Sequence, residues 1–130
     1  MLINLSNHPS ADWPETQLKA AKKYGQVNDL PFPIIDPSAE TFDIELLAET
    51  YEIQVRQLLT KESTGNYAVH LMGELTFCFA LAVRLQKVGI PCLVSTTNRQ
   101  AIDAPDGSKI SRFEFVRFRE YPELQDLNYQ

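Results

Sequence analysis

Three short polar clusters hold the residues that can do chemistry. Ser6, Asn7, His8 and Ser10 follow the apolar run Leu2–Leu5. Gly73, Glu74 and Thr76 follow the stretch YAVHLM, and Ser95, Thr96, Thr97, Asn98 and Arg99 end and extend PCLVSTT. Hydroxyls, an amide and a guanidinium in sequence make a contact surface for phosphate or ribose. His8 can act as general acid or base, because an imidazole titrates near neutral pH. Gly73 lets a ligand approach the backbone. Each cluster also has a plainer reading. Ser6, Asn7 and Ser10 can satisfy backbone groups in a turn. Glu74 can complement the positive end of a helix. His70, inside an apolar strand, reads as a satisfied core histidine, and Trp13 as a packing anchor before a stacking platform.

The elements that must position these clusters alternate. Leu2–Leu5 reads as a short buried strand. Asp12-Trp13-Pro14-Glu15 reads as a helix start, with Asp12 as cap and Glu15 in the capping-box place, and Gly25 as the stop. Val27–Phe32 is a second strand, followed by loop through Pro31, Pro33 and Pro37. From Thr41 the period is helical, with Ile44, Leu47, Ala48, Tyr51, Val55, Leu58 and Leu59 on one stripe. Thr64-Gly65-Asn66 is a turn and Tyr67–Met72 a third strand. The helix that follows is apolar on most faces, so it must be covered on more than one side, and a dimer contact is one way. Pro91–Thr97 is a fourth strand, and Asn98–Tyr121 is read as a hairpin around Ala104–Gly107. Its alternation slips at Val116, which implies a bulge or a two-sided strand.

Strands alternating with helices mean a mostly parallel sheet with helices on its faces. The expectation is a single α/β domain over residues 1–121, a Rossmann-like three-layer sandwich of about four strands plus a C-terminal antiparallel hairpin. Residues 122–130 are expected to be a flexible tail. If the strand order is 2-1-3-4, the clusters after the first and third strands face each other where the order reverses, which is where such sheets bind ligands, and the cluster after the fourth lies beside the third. No G-x-G-x-x-G or G-x-x-x-x-G-K-[ST] is present, which disfavours dinucleotide and P-loop sites.

The 130 residues are 44% hydrophobic and 22% charged, the balance of a soluble globular protein. A net charge of −5 argues against duplex nucleic acid as partner. It leaves room for a small anion held by backbone amides. No apolar run reaches membrane-spanning length, and no basic stretch followed by an apolar one opens the chain, so neither membrane nor secretory leader is expected. Cys78 and Cys92 read as buried free thiols, pointing to a reducing cytoplasm. No metal and no cofactor are expected.

The stretches INLSNHPS…W, VHLMGELTF…AL…RL…GI and CLVSTTNR…DG…FEFVRFREY carry a resemblance. From residue 2 to about 121 the chain is similar to the small stand-alone CRISPR-associated Rossmann-fold (CARF-like) proteins of type III systems. The resemblance implies a homodimer that binds a cyclic oligoadenylate messenger across its two-fold axis. In the ring-nuclease type it also implies cleavage without metal, a ribose 2′-hydroxyl attacking the neighbouring phosphate. Carried onto this chain, His8 and Ser10 would be catalytic. Ser6, Asn7, Gly73, Glu74, Thr76, Ser95, Thr96, Thr97, Asn98 and Arg99 would bind the ligand, with Arg99 as the cation. Glu74 departs from the pattern, since the better-known nucleases often have a basic residue there. Two other functions compete: a module that binds the messenger without cutting it, and a protein-interaction domain whose polar clusters are structural.

Overall fold

A computed structural model describes residues 1–61 and 65–124. The expected tail therefore lies largely outside the described residues, as does Thr64 of the expected turn. The elements are β1 (Leu2–Ser6), α1 (Glu15–Ala21), β2 (Val27–Asp29), α2 (Thr41–Leu59), β3 (Ala68–Met72), α3 (Leu75–Lys87), β4 (Cys92–Asp103) and β5 (Lys109–Glu120). The sheet order is β2-β1-β3-β4-β5. The first four strands are parallel, and β5 returns antiparallel to β4. The chain is thus α/β with a Rossmann-like three-layer arrangement. The order reverses between β1 and β3, as the expected switch point requires.

Alternation along each strand divides two cores. Ile3, Leu5, Val69, Leu71 and Cys92 face one way and meet Ile44, Ala48 and Val55 of α2 and Phe77, Leu81 and Leu85 of α3. Leu2, Ala68 and Leu93 face the other way and meet Trp13, Ala21 and Tyr24. Period-two spacing makes this split unavoidable, because a strand between two layers must be apolar on both faces. The stripe expected on α2 is the buried stripe. Glu74 caps α3, accepting from the backbone N–H groups of Thr76 and Phe77. At its other end Gly89 takes φ 79°, a left-handed turn suited to glycine. Cys78 and Cys92 are buried free thiols. Among the described residues, no helix is long and apolar enough to cross a membrane.

Three local expectations need correction. Asp12 does not cap α1. It lies in a 3-10 turn, Ser10–Asp12, and Pro14 occupies the cap place with no side-chain bond. β2 ends at Asp29 rather than Phe32, since Pro31 and Pro33 supply no N–H for a ladder. β4 does not stop near Thr97. It runs on to Asp103, paired with β5 from Leu93↔Glu120 to Asp103↔Lys109. β3 accompanies β4 only at Cys92 and Leu93. Beyond that point the two strands form a ribbon that leaves the sheet, exposed from Asn98 to Asp103 and from Lys109 to Glu114. A register shift between Thr96 and Thr97 accounts for the slip at Val116. The bulge keeps Phe115 on the same face as Phe118, with ring centroids 5.1 Å apart.

Candidate switch-point site

Asn4 and Ser6 of β1, His70 of β3 and Ser95 of β4 lie on the α1 face of the sheet. Apolar neighbours put them there, since period two carries Asn4 and Ser6 to the side opposite Ile3 and Leu5. Asn4 is 2% exposed and His70 2% exposed, so both must be satisfied internally. They are satisfied by one another. Asn4 Nδ2 donates to Asp29 Oδ1 at 2.7 Å and to the His8 carbonyl at 2.9 Å. Both partners only accept, so the amide oxygen of Asn4 must point the other way. That oxygen accepts from Ser6 Oγ at 2.8 Å and stands 2.9 Å from His70 Nδ1. His70 Nδ1 therefore carries the proton. Its Nε2, 3.1 Å from Ser95 Oγ, is left to accept. A continuous polar line thus crosses the sheet from Asp29 to Ser95.

Charge in this line is confined to Asp29 at one end. Burial and, next, the nearby charge of His8 push the His70 imidazole from 6.5 down to about 4. It is neutral at pH 7. Burial works to raise the carboxyl of Asp29. Hydrogen bonds from Asn4 and from the Ser10 side chain and N–H outweigh it and hold the group below its usual value. Rings close over the line: Trp13 meets His70 edge-on at 5.2 Å, and Phe118 meets it at 5.6 Å.

The loop after β1 is tied down through one atom. The His8 carbonyl accepts from Asn4 Nδ2, from Trp13 Nε1 at 3.2 Å, and lies 3.2 Å from Ser6 Oγ. The side chains of Asn7 and His8 are exposed. They stand at the carboxyl end of β1, beside the reversal of strand order.

Other expected site residues are placed differently. The Ser10 hydroxyl donates to Asp29 Oδ2 at 2.9 Å, so its proton is committed. Ser6 is buried in the polar line. Over Gly73 lies the ring of Phe32, only 2.2 Å from where a Cβ would be. The close approach that Gly73 permits is taken by the chain itself. Thr76 Oγ1 donates to the Glu74 carboxylate, 2.6 Å from Oε1, which closes the helix cap. Hydrogen bonds from the Thr76 side chain and from the N–H groups of Phe77 and Thr76 hold Glu74 below its usual pKa. Thr96, Thr97, Asn98 and Arg99 sit along the ribbon rather than at a strand end. Arg99 is six residues past Leu93, on the order of 20 Å along the strand. Its guanidinium donates to Ser111 Oγ at 3.0 Å. Asn4 and Asp29, absent from the expected site, are its organising residues. The signal for Asn4 was a polar residue two positions before Ser6 inside an apolar strand. Among the described residues no group of His, Cys, Asp or Glu is arranged to hold a metal.

Residues 1–119 match the model of the Uncharacterized protein MJ1673 family. The chain belongs to that family. The match spans every strand and helix of the chain except the last residue of β5. Comparison with curated proteins and with solved structures returned no match.

Proposed function

We propose that the chain binds a cyclic oligoadenylate messenger of type III CRISPR signalling in the cytoplasm, at the carboxyl ends of β1 and β3. Asn7, His8 and Ser95 contact the ligand, and Arg99 approaches it from the ribbon. The observation that carries this reading is the pairing of exposed Asn7 and His8 side chains with a loop backbone anchored by two donors at the switch point. A backbone already ordered loses little entropy when a ligand arrives. The resemblance supplies the class of ligand. Cutting, where it occurs, rests on His8, whose imidazole can take the proton of a ribose 2′-hydroxyl as its oxygen attacks phosphorus and the 5′-oxygen leaves. Ser10 is not assigned a catalytic part, because its hydroxyl serves Asp29. Glu74, Thr76 and Gly73 are assigned to the fold.

The test mixes the purified chain, without added metal, with cyclic tetra-adenylate and cyclic hexa-adenylate in turn. Binding and products are followed by chromatography. Linear products ending in a cyclic phosphate, lost in His8→Ala while binding persists, establish a nuclease. Tight binding without products establishes a sensor or sink. Absence of both overturns the messenger reading and leaves the switch-point loop a structural turn.

A further inference from the structure

The outer face of the α2/α3 layer carries apolar side chains that nothing in the described chain covers. Phe42, Leu46 and Ile53 of α2 are exposed, as are Leu75 and Phe79 of α3, the last two at 82% and 69%. Val83 is half-buried beside them. Between the helices runs an open groove of about 790 Å³, with Ile44, Ala80 and Val83 among its lining. Large apolar groups gathered on one layer, rather than scattered singly, mark an interface.

The charges along the groove indicate what covers it. As crossovers between parallel strands, α2 and α3 both run against the strands and so parallel to each other. Glu45 lines the groove toward its N-terminal end, and Lys87 lines the opposite end. Arg56, eleven residues after Glu45 on α2, is held in the middle of the face by Glu52, 3.3 Å away. There Arg84 also pairs with Glu52 at 3.2 Å and lies 3.9 Å from Glu49, so two cations balance two carboxylates. The face carries Glu45 at one end, a charge-balanced middle and Lys87 at the other. Such a surface is complementary to itself when turned end for end, which is the requirement of a two-fold contact.

We propose that this face binds a second copy of the chain, with the helices of the two copies antiparallel. Phe79 and Val83 of each copy enter the groove of the other, and Glu45 of each meets the basic end of the other. The proposal does not depend on the messenger reading. It places the two switch points at opposite ends of the pair, so each chain would take its own ligand, unlike the shared pocket that the resemblance implies.

The test begins with the mass of the full chain in solution by light scattering over a range of concentrations. Twice the 14.8 kDa of one chain is expected. Phe79→Asp changes an exposed position and should return the mass of one chain with an unchanged circular-dichroism spectrum. Orientation is read by oxidative cross-linking. Glu45→Cys protein mixed with Lys87→Cys protein should give a two-chain product that neither variant gives alone. Cys78 and Cys92 do not compete, being buried with thiols pushed up to about 11 and about 12. A single-chain mass at every concentration overturns the proposal, as does a dimer indifferent to Phe79→Asp. Cross-linking of Glu45→Cys to itself overturns the antiparallel arrangement.

Discussion

At the scale of single residues, His70 has the most at stake. Its imidazole is neutral in the folded chain down to about pH 4, whereas the unfolded chain protonates it near 6.5. The unfolded state therefore binds more protons between those values. Stability from this group is complete above pH 6.5 and falls as pH drops toward 4, by about 3 kcal/mol. Urea unfolding across that window, with the imidazole followed by NMR, measures both quantities. A proton taken up by the His70 imidazole of the folded chain near 6.5 would break the derivation of the polar line. Gly73 makes a second case. Gly73→Ala puts a Cβ into the Phe32 ring, which is itself packed edge-on against Phe77 at 5.2 Å. We expect a loss of about 1–2 kcal/mol, largely relieved when Phe32 is also shortened. A neutral Gly73→Ala would mean that the ring moves aside freely.

At the scale of elements, the start of α3 separates a structural from a ligand role. Glu74 accepts two backbone N–H groups that would otherwise lack partners. Glu74→Ala should cost about 1 kcal/mol in chemical denaturation. It should leave affinity for any oligoadenylate unchanged, and a selective loss of affinity would move Glu74 into the site. The elements were mostly legible before the structure. Helical spacing marked α2, and alternation with Gly and Pro breaks marked the strands. The failures have local causes. Asp12 has the composition of a cap, but Pro9 and Pro14 turn the chain into a 3-10 segment before α1 begins. The hairpin from Asn98 was legible from the turn at Ala104–Gly107, but Thr97 to Asp103 carry few large apolar residues, so no core-facing periodicity announced that its first arm continues β4 unbroken. That stretch is held by cross-strand bonds to β5, which a reading of one segment at a time does not see.

At the scale of the whole molecule, strand order turned three separate polar clusters into one polar line and two satellites. The order 2-1-3-4 entered the sequence reading as a condition, and the sheet meets it. Which polar residues would meet was not legible. Asn4 and Asp29 are 25 residues apart and meet only because β1 and β2 pair in register at Asn4↔Asp29. The same register that buries Leu2 and Leu5 thereby selects the tautomer of His70. The apolar exterior of α3 was visible as a helix apolar nearly all round. Its self-complementary charge was not, since that needs α2 alongside in parallel.

The ribbon of β4 and β5 has a consequence for how the molecule breathes. Its ladder with β3 ends at Cys92 and Leu93, and Ser95 makes the next bonds to that strand. Two strands alone are marginally stable in water. The tip around Ala104–Ser108 can therefore open and reclose many times while β1 and β3 stay shut, its amides trading hydrogen for deuterium long before those of Ile3 or Val69. The opening would start at Gly107 and stall at the Phe115–Phe118 pair, where the bulge fastens the ribbon to the aromatic cover of the polar line. Arg99 rides on the part that opens.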